Sequence, residues 1–177
     1  ILYYCIFGDR IRLLFGKIIM KILIIQTAFI GDVILATPLV ESIRREYPDS
    51  TIHFLLRKGN ETLLTAHPYI EKVWVFNKKE QKYINLLRLI RSIRAESYDY
   101  VINLQRFFTT GLMTVLSGGK VKIGFDKNPL SFLFTKAVKH SYGNLDGVIR
   151  HEVDRNLSLI SELVKEKVRR PVLYPSA

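Results

Sequence analysis

Short apolar runs alternate along this chain with stretches of helical period, and that alternation is the first thing the sequence offers. Lys21 to Gln26 (KILIIQ) is a compact apolar run of the kind that forms a strand buried on both faces of a parallel sheet. A loop over Thr27–Gly31 follows, then a helix from about Asp32 to Glu46. Pro38 falls inside that helix, so its first turn is irregular or the regular helix begins at Thr37-Pro38. Thr51–Leu56 reads as a second strand, Arg57–Asn60 as a polar loop, and a short helix ends near His67-Pro68. Lys72–Phe76 is a third strand. Tyr83–Ala95 places Tyr83, Leu87, Ile90 and Ile93 on one helical stripe, with Arg88, Arg91 and Arg94 elsewhere. Tyr98–Leu104 is a fourth strand, Phe107–Leu116 a helix and Val121–Gly124 a short fifth strand. Val153, Leu157, Ile160 and Val164 mark a final amphipathic helix. Strands separated by helices imply right-handed crossovers and an α/β fold with a Rossmann-like, doubly wound parallel sheet. Ligands bind such sheets outside the carboxyl ends of the strands.

The two ends of the chain read differently. Ile11, Leu14, Phe15, Ile18 and Ile19 fall at helical spacing among Arg10, Arg12 and Lys17, so residues 1–19 are expected to be an extension carrying an amphipathic helix. Such a helix either lies on a membrane surface or packs on the domain. Charges interrupt it too often for a membrane span, it lacks the order of a signal peptide, and Met20 is a plausible alternative start. Arg169 to Pro175 is punctuated by proline and reads as the start of an interdomain linker.

Composition narrows the partners. Lys and Arg number 27 against 16 acidic residues, a formal net charge of +11. Such an excess suits nucleic acid, an anionic membrane surface, an acidic substrate or simply a basic surface. A lone cysteine excludes an intrachain disulfide framework and a cysteine-built zinc site. Neither a G-x-G-x-x-G dinucleotide fingerprint nor a phosphate loop is present. The first strand-to-helix loop instead holds Gly31-Asp32. A glycine there lets the backbone turn closely, and a carboxylate at a helix start either caps the helix or accepts a proton from an incoming hydroxyl. Gln105 and Arg106 sit at the carboxyl end of a strand, where this architecture binds ligands, and Thr27 and Gly31 are expected in the same crevice.

The run Lys21–Leu39 (KILIIQTAFIGDVILATPL) resembles the opening of the lipopolysaccharide heptosyltransferases, glycosyltransferase family 9. The resemblance continues at Tyr98–Gln105 (YDYVINLQ), where that family shows a strand ending in Gln, at Lys122–Phe125 (KIGF) and at His151–Leu157 (HEVDRNL). These separated blocks, in the family's order, span roughly Met20 to Val164. The resemblance implies a GT-B glycosyltransferase built of two facing Rossmann-like halves. Residues 20–168 would be the N-terminal, acceptor-binding domain and 169–177 the start of the linker, with the C-terminal donor domain absent. It further implies an inverting transfer of heptose from ADP-heptose to the acidic inner core on lipid A, in lipopolysaccharide biosynthesis. Asp32 matches the family's catalytic aspartate and would deprotonate the acceptor hydroxyl. Lys79, Lys82, Lys127 and Arg155 match basic acceptor-binding positions, and His151 a histidine near the cleft. Lysine where relatives carry arginine departs from the pattern and weakens any case for bidentate carboxylate binding. No D-x-D occurs, in keeping with a metal-independent mechanism, and no cofactor is implied. The expected location is the cytoplasmic face of the inner membrane, held peripherally.

Other functions remain open at this point. A nucleic-acid binder has only the charge and Arg88, Arg91 and Arg94 in its favour, with no recognition motif or stacking aromatics, so nucleic acid is not expected as a partner. A family-9 enzyme using another sugar and another glycan, or a non-catalytic basic module, fits the same residues. A chain of this length is expected to be inactive on its own.

Overall fold

The computed structural model describes residues 12–14, 17–78, 82–140 and 151–174. Two short strands, β1 (Arg12–Leu14) and β2 (Lys17–Ile19), pair antiparallel. The helix expected across this stretch is therefore not formed at its described residues, and residues 1–11 and 15–16 lie outside them. Three-residue segments meet helical and strand periods equally well, so the pattern there had little power to discriminate.

The sheet that carries the fold comprises β3 (Lys21–Ile25), β4 (Thr51–Arg57), β5 (Lys72–Phe76), β6 (Tyr100–Asn103), β7 (Val121–Phe125) and β8 (Lys136–Val138). Its order is β5-β4-β3-β6-β7-β8 and every neighbouring pair is parallel. This is the α/β, Rossmann-like arrangement expected. The chain builds outward from β3 to β5 on one side, then returns to β6 and builds outward on the other. The order thus reverses between β3 and β6, and the loops leaving those two strands open a crevice.

Alternation along the strands explains two cores. Ile22 and Ile24 of β3 join Ile52, Phe54, Ile102 and Phe125 in one cluster, together with Val33, Leu39, Val40 and Ile43 from the helices α1 (Ile30–Ile34) and α2 (Thr37–Glu46). Leu23 and Ile25 face the other way, with Leu55 and Val101, against α3 (Lys82–Ala95) and α4 (Phe108–Leu116). The break between α1 and α2 falls just ahead of Pro38, which sits in the first turn of α2 where its missing N–H costs nothing.

Several expected elements are altered. The segment before His67 is a single 3-10 turn, Glu61–Leu63, rather than a helix. β8 adds a sixth strand to the sheet that no apolar run announced. The last helix, α5 (Glu152–Ser158), stops before Val164. Ile160 and Val164 are nevertheless fully buried in the first cluster, so their spacing reported burial and not helix. On α3 the inward stripe is Leu86, Leu89, Ile90 and Ile93, while Tyr83 and Leu87 face outward. Residues 168–174 run without regular structure along α2, with Val168 N–H donating to Ser42 Oγ and Val172 N–H to Thr37 Oγ1.

Candidate functional site

The crevice at the reversal holds a cavity of about 380 Å³. Gln26 to Phe29 come to it from the loop after β3, and Asp32 from α1. Leu104 to Phe107 come from the loop after β6. Arg57 ends β4, Lys78 follows β5, His140 follows β8, and Glu152 and Arg155 belong to α5. Seven segments, five of them at or after strand ends, therefore converge on the carboxyl edge of one sheet, as a doubly wound fold requires.

Asp32 occupies the third position of α1, one place where a carboxylate reaches back to the chain entering the helix. Its Oδ2 accepts the Phe29 N–H at 3.0 Å. A carboxylate has two oxygens, so this hydrogen bond does not exhaust its capacity to accept. The helix-terminal role and the proton-accepting role are thus compatible in one residue.

The floor is polar and tightly tied. Gln26 and Gln105 are both buried, and Gln105 Nε2 donates to Gln26 Oε1, which also accepts the Ala28 N–H. Gln105 N–H donates to Asn103 Oδ1 at 2.8 Å. Thr27 Oγ1 and Gln105 Oε1 lie buried with no protein hydrogen bond, polar atoms of the kind that water or a ligand satisfies. Asn128, in the turn after β7, donates through Nδ2 to both Gln105 O and Phe107 O, each at 3.0 Å. Its Oδ1 accepts the Leu130 N–H, and a Cβ added at Gly111 would collide with that oxygen. The loop bearing Arg106 is clamped from the neighbouring strand, and α4 has a glycine where the clamp passes.

Cations surround this floor. Lys78 Nζ donates to Thr27 O at 2.8 Å, and the Arg57 guanidinium lies over the Phe29 ring, 4.6 Å from its centre. Arg155 forms an ion pair with Glu152 one turn earlier. The His140 ring is buried against Phe125, edge to face at 4.6 Å, and the His140 backbone N–H donates to Asp126 Oδ1. Burial first, then the charges of Arg155 and Arg106, hold its imidazole below the usual range. His140 is accordingly neutral at physiological pH.

Of the residues singled out from sequence, Asp32, Thr27, Gln105, Arg106 and Arg155 meet at this cavity. Gly31 lies outside the lining, exposed in the first turn of α1. A Cβ there would meet nothing within 4 Å and its φ is not positive, so no close turn demands glycine. Lys127 is exposed in the turn after β7, away from the cavity lining. His151 is exposed and accepts the Val153 N–H at 3.3 Å as the N-cap of α5. Lys79 and the side chain of Lys82 lie outside the described residues. Lys78, His140, Glu152 and Gln26 were not anticipated. Lys78 and His140 follow strands at the carboxyl edge, and that position was the available signal. Among the described residues, no group of His, Cys, Asp and Glu is arranged to hold a metal.

Residues 86–173 match the family described as glycosyltransferase family 9 (heptosyltransferase). The chain is 31% identical over 156 residues to lipopolysaccharide heptosyltransferase 3 of Escherichia coli, an alignment covering 84% of this chain and 45% of that protein. It is 30% identical over 128 residues to lipopolysaccharide heptosyltransferase 1 of Campylobacter coli, covering 72% and 37%. Among solved structures, a family 9 glycosyl transferase from Veillonella parvula superposes with a TM-score of 0.78 at 23% identity, over 89% of this chain and 45% of that one. The E. coli heptosyltransferase WaaC with ADP superposes at 0.69 and 18% identity, over 86% and 50%. These superpositions support the fold. The chain spans less than half the length of these two curated relatives.

Proposed function

Because the chain belongs to glycosyltransferase family 9, we propose that it forms the acceptor-binding half of an inverting GT-B glycosyltransferase. The reaction moves heptose from ADP-heptose to the acidic inner core of lipopolysaccharide, and Asp32 is its general base. The observation that carries this reading is the carboxyl-edge cavity itself. It sets the Asp32 carboxylate, on a helix start, among Arg57, Lys78, Arg106 and Arg155, the second carboxylate of the lining, Glu152, being paired with Arg155. An acceptor bearing carboxylates or phosphates is held there by charge-assisted hydrogen bonds, which fix one hydroxyl beside Asp32.

In the transfer step the acceptor hydroxyl oxygen attacks the anomeric carbon of the donor sugar. Its proton passes to the Asp32 carboxylate as the new C–O bond forms. The bond to the diphosphate oxygen breaks on the opposite face, and the nucleoside diphosphate leaves with the electron pair. A diphosphate is a good leaving group and needs no strong acid. Neutral His140 and the buried Gln105 and Thr27 oxygens suit sugar hydroxyls, while the cations suit the acidic substituents. Donor binding belongs mainly to the half of the relatives' length that this chain does not span, and the lipid-linked acceptor places the protein at the inner surface of the inner membrane. Family-9 chemistry with another donor and glycan would use the same base.

The test is transfer from ADP-heptose to a lipid A–inner-core acceptor by a protein carrying both halves, compared with its Asp32→Asn variant. The expected result is a loss of transfer by several orders of magnitude with acceptor binding retained. Equal transfer by both proteins leaves Asp32 a helix-terminal residue only, and the mechanism falls. The 177-residue chain alone is expected to bind acceptor and turn over little or no donor.

A further inference from the structure

Tyr83 and Leu87 share the expected helical stripe with Ile90 and Ile93, yet on α3 both face outward. Tyr83 is 75% exposed, Leu87 64% and Ile84 49%. Apolar side chains this open, clustered on the first turns of one helix, mark a surface that meets something. Arg88, Arg91 and Arg94 are exposed on the same outer arc one to two turns farther along. The helix axis thus carries a graded face, apolar at its start and cationic at its end.

We propose that this outer face of α3 is where the protein rests on an anionic lipid bilayer, with the apolar first turns entering the interface and the arginines at the level of the lipid phosphates. Dimensions support the arrangement. Six residues separate the centres of the two groups, roughly 9 Å along the helix axis. The headgroup layer of one leaflet is about 5–8 Å thick. An apolar tip at the acyl boundary therefore leaves the guanidinium groups among the phosphates, which they bind as planar forks. The net charge of +11 supplies the complementary long-range attraction. No described helix is long and apolar enough to cross a membrane.

Orientation follows. α3 comes after β5 and returns across the sheet, so its apolar start lies at the carboxyl edge. The segment leading to it is tied to the cavity by the bond from Lys78 Nζ to Thr27 O. Docking on that end turns the cavity toward the bilayer from which a lipid-linked acceptor projects. The inference rests on the acceptor class proposed above, and it names the surface that brings the site to that acceptor.

The experiment is cosedimentation of the chain with vesicles of phosphatidylcholine alone and of phosphatidylcholine mixed with phosphatidylglycerol. Tighter binding to the anionic vesicles is expected. Arg88→Glu, Arg91→Glu and Arg94→Glu together should weaken it roughly a hundredfold, and Leu87→Glu alone roughly tenfold. Unchanged urea midpoints certify that these exposed substitutions leave the fold intact. Phe132→Ser, an equally exposed aromatic near β8, should bind as wild type. Vesicle binding that is absent, indifferent to lipid charge or unaltered in the α3 variants overturns the proposal. So does a Leu87→Glu variant that dissociates a dimer while still binding vesicles, since the face then belongs to a second copy. The vesicles contain no acceptor, and transfer to a detergent-solubilised acceptor needs no bilayer. Failure of docking and failure of the transfer reading are therefore separable.

Discussion

The two ends of the sheet each carry a charged cavity, and they are built to opposite purposes. At the amino end, about 810 Å³ is lined by Lys21, Lys72 and Lys120 opposite Glu71, Glu96 and Asp99. Lys21 and Lys72 share Glu96, and Lys120 pairs with Asp99 at 2.7 Å. At the carboxyl end the cavity is half that size, and four cationic side chains face only Asp32 and Glu152. The larger space is charge-balanced and joins strands to one another. The smaller one keeps an excess of positive charge beside a carboxylate and buried polar atoms. Volume is thus the poorer guide to where an acidic ligand goes, and charge balance together with strand direction the better one.

That contrast can be broken by substitution. The largest effect is expected at the carboxyl end, where Asp32→Asn should cut transfer about a thousandfold or more. The matching change at the amino end, Glu96→Gln, should leave transfer unaltered. A pH effect comes next, and it belongs to the fold and not the site. His53 is buried with its Nδ1 hydrogen-bonded to Tyr98 OH at 2.6 Å, and Tyr98 OH accepts from Trp74 Nε1. His67 is buried beside Glu41. Burial chiefly lowers both imidazoles to about 4, with Lys21 adding to the effect on His53. Between pH 6.5 and about 4 the unfolded chain binds protons that the folded chain refuses. Stability should therefore fall as pH falls through that window, by about 2–3 kcal/mol for each histidine. Urea unfolding at pH 7 and pH 5 measures the loss, and His67→Gln should remove about half of it, His53 supplying the rest. Arg106→Gln follows, with acceptor binding weakened about tenfold or somewhat more in a titration calorimeter, while Lys120→Gln leaves that affinity unchanged. The smallest effect is Lys72→Ala, about 1 kcal/mol or less in thermal unfolding, because the pair is part-exposed. Glu96 also sharpens the acid side. Its hydrogen bonds from Lys21 and then Lys72 pull its carboxyl down to about 2, so the stability it adds is full above pH 4.5 and lost as pH falls toward 2.

Legibility followed the same division. The central strands announced themselves because residues such as Ile22–Ile25 are buried on both faces and so form unbroken apolar runs. β8 did not, since Lys136-Ala-Val138 is a three-residue edge strand with a half-open surface. The stripe on α3 keeps Ile90 and Ile93 but takes Leu86 and Leu89 in place of Tyr83 and Leu87, because the apolar residues exceed what the core accepts and period alone cannot say which are left over. In the site, Asp32, Gln105 and Arg106 were found because loops after the central strands are where this architecture opens. Lys78 and His140 arrive from outer strands whose spacing to the crevice is set by sheet order, and Arg57 opens a stretch that reads as a polar loop. Tertiary placement made these neighbours; no local pattern contains it.

The clamp from Asn128 carries a practical corollary. Because one side-chain amide from the turn after β7 fixes two carbonyls of the loop after β6, that loop is not a self-contained module. Transplanting Gln105–Phe107 onto another scaffold would carry over the letters and lose the shape. The smallest portable unit comprises the loop, the Asn128 turn and the opening of α4 as far as Gly111. Even Gly111→Ala, a methyl group well away from any ligand, should loosen Arg106 by pushing the clamp aside.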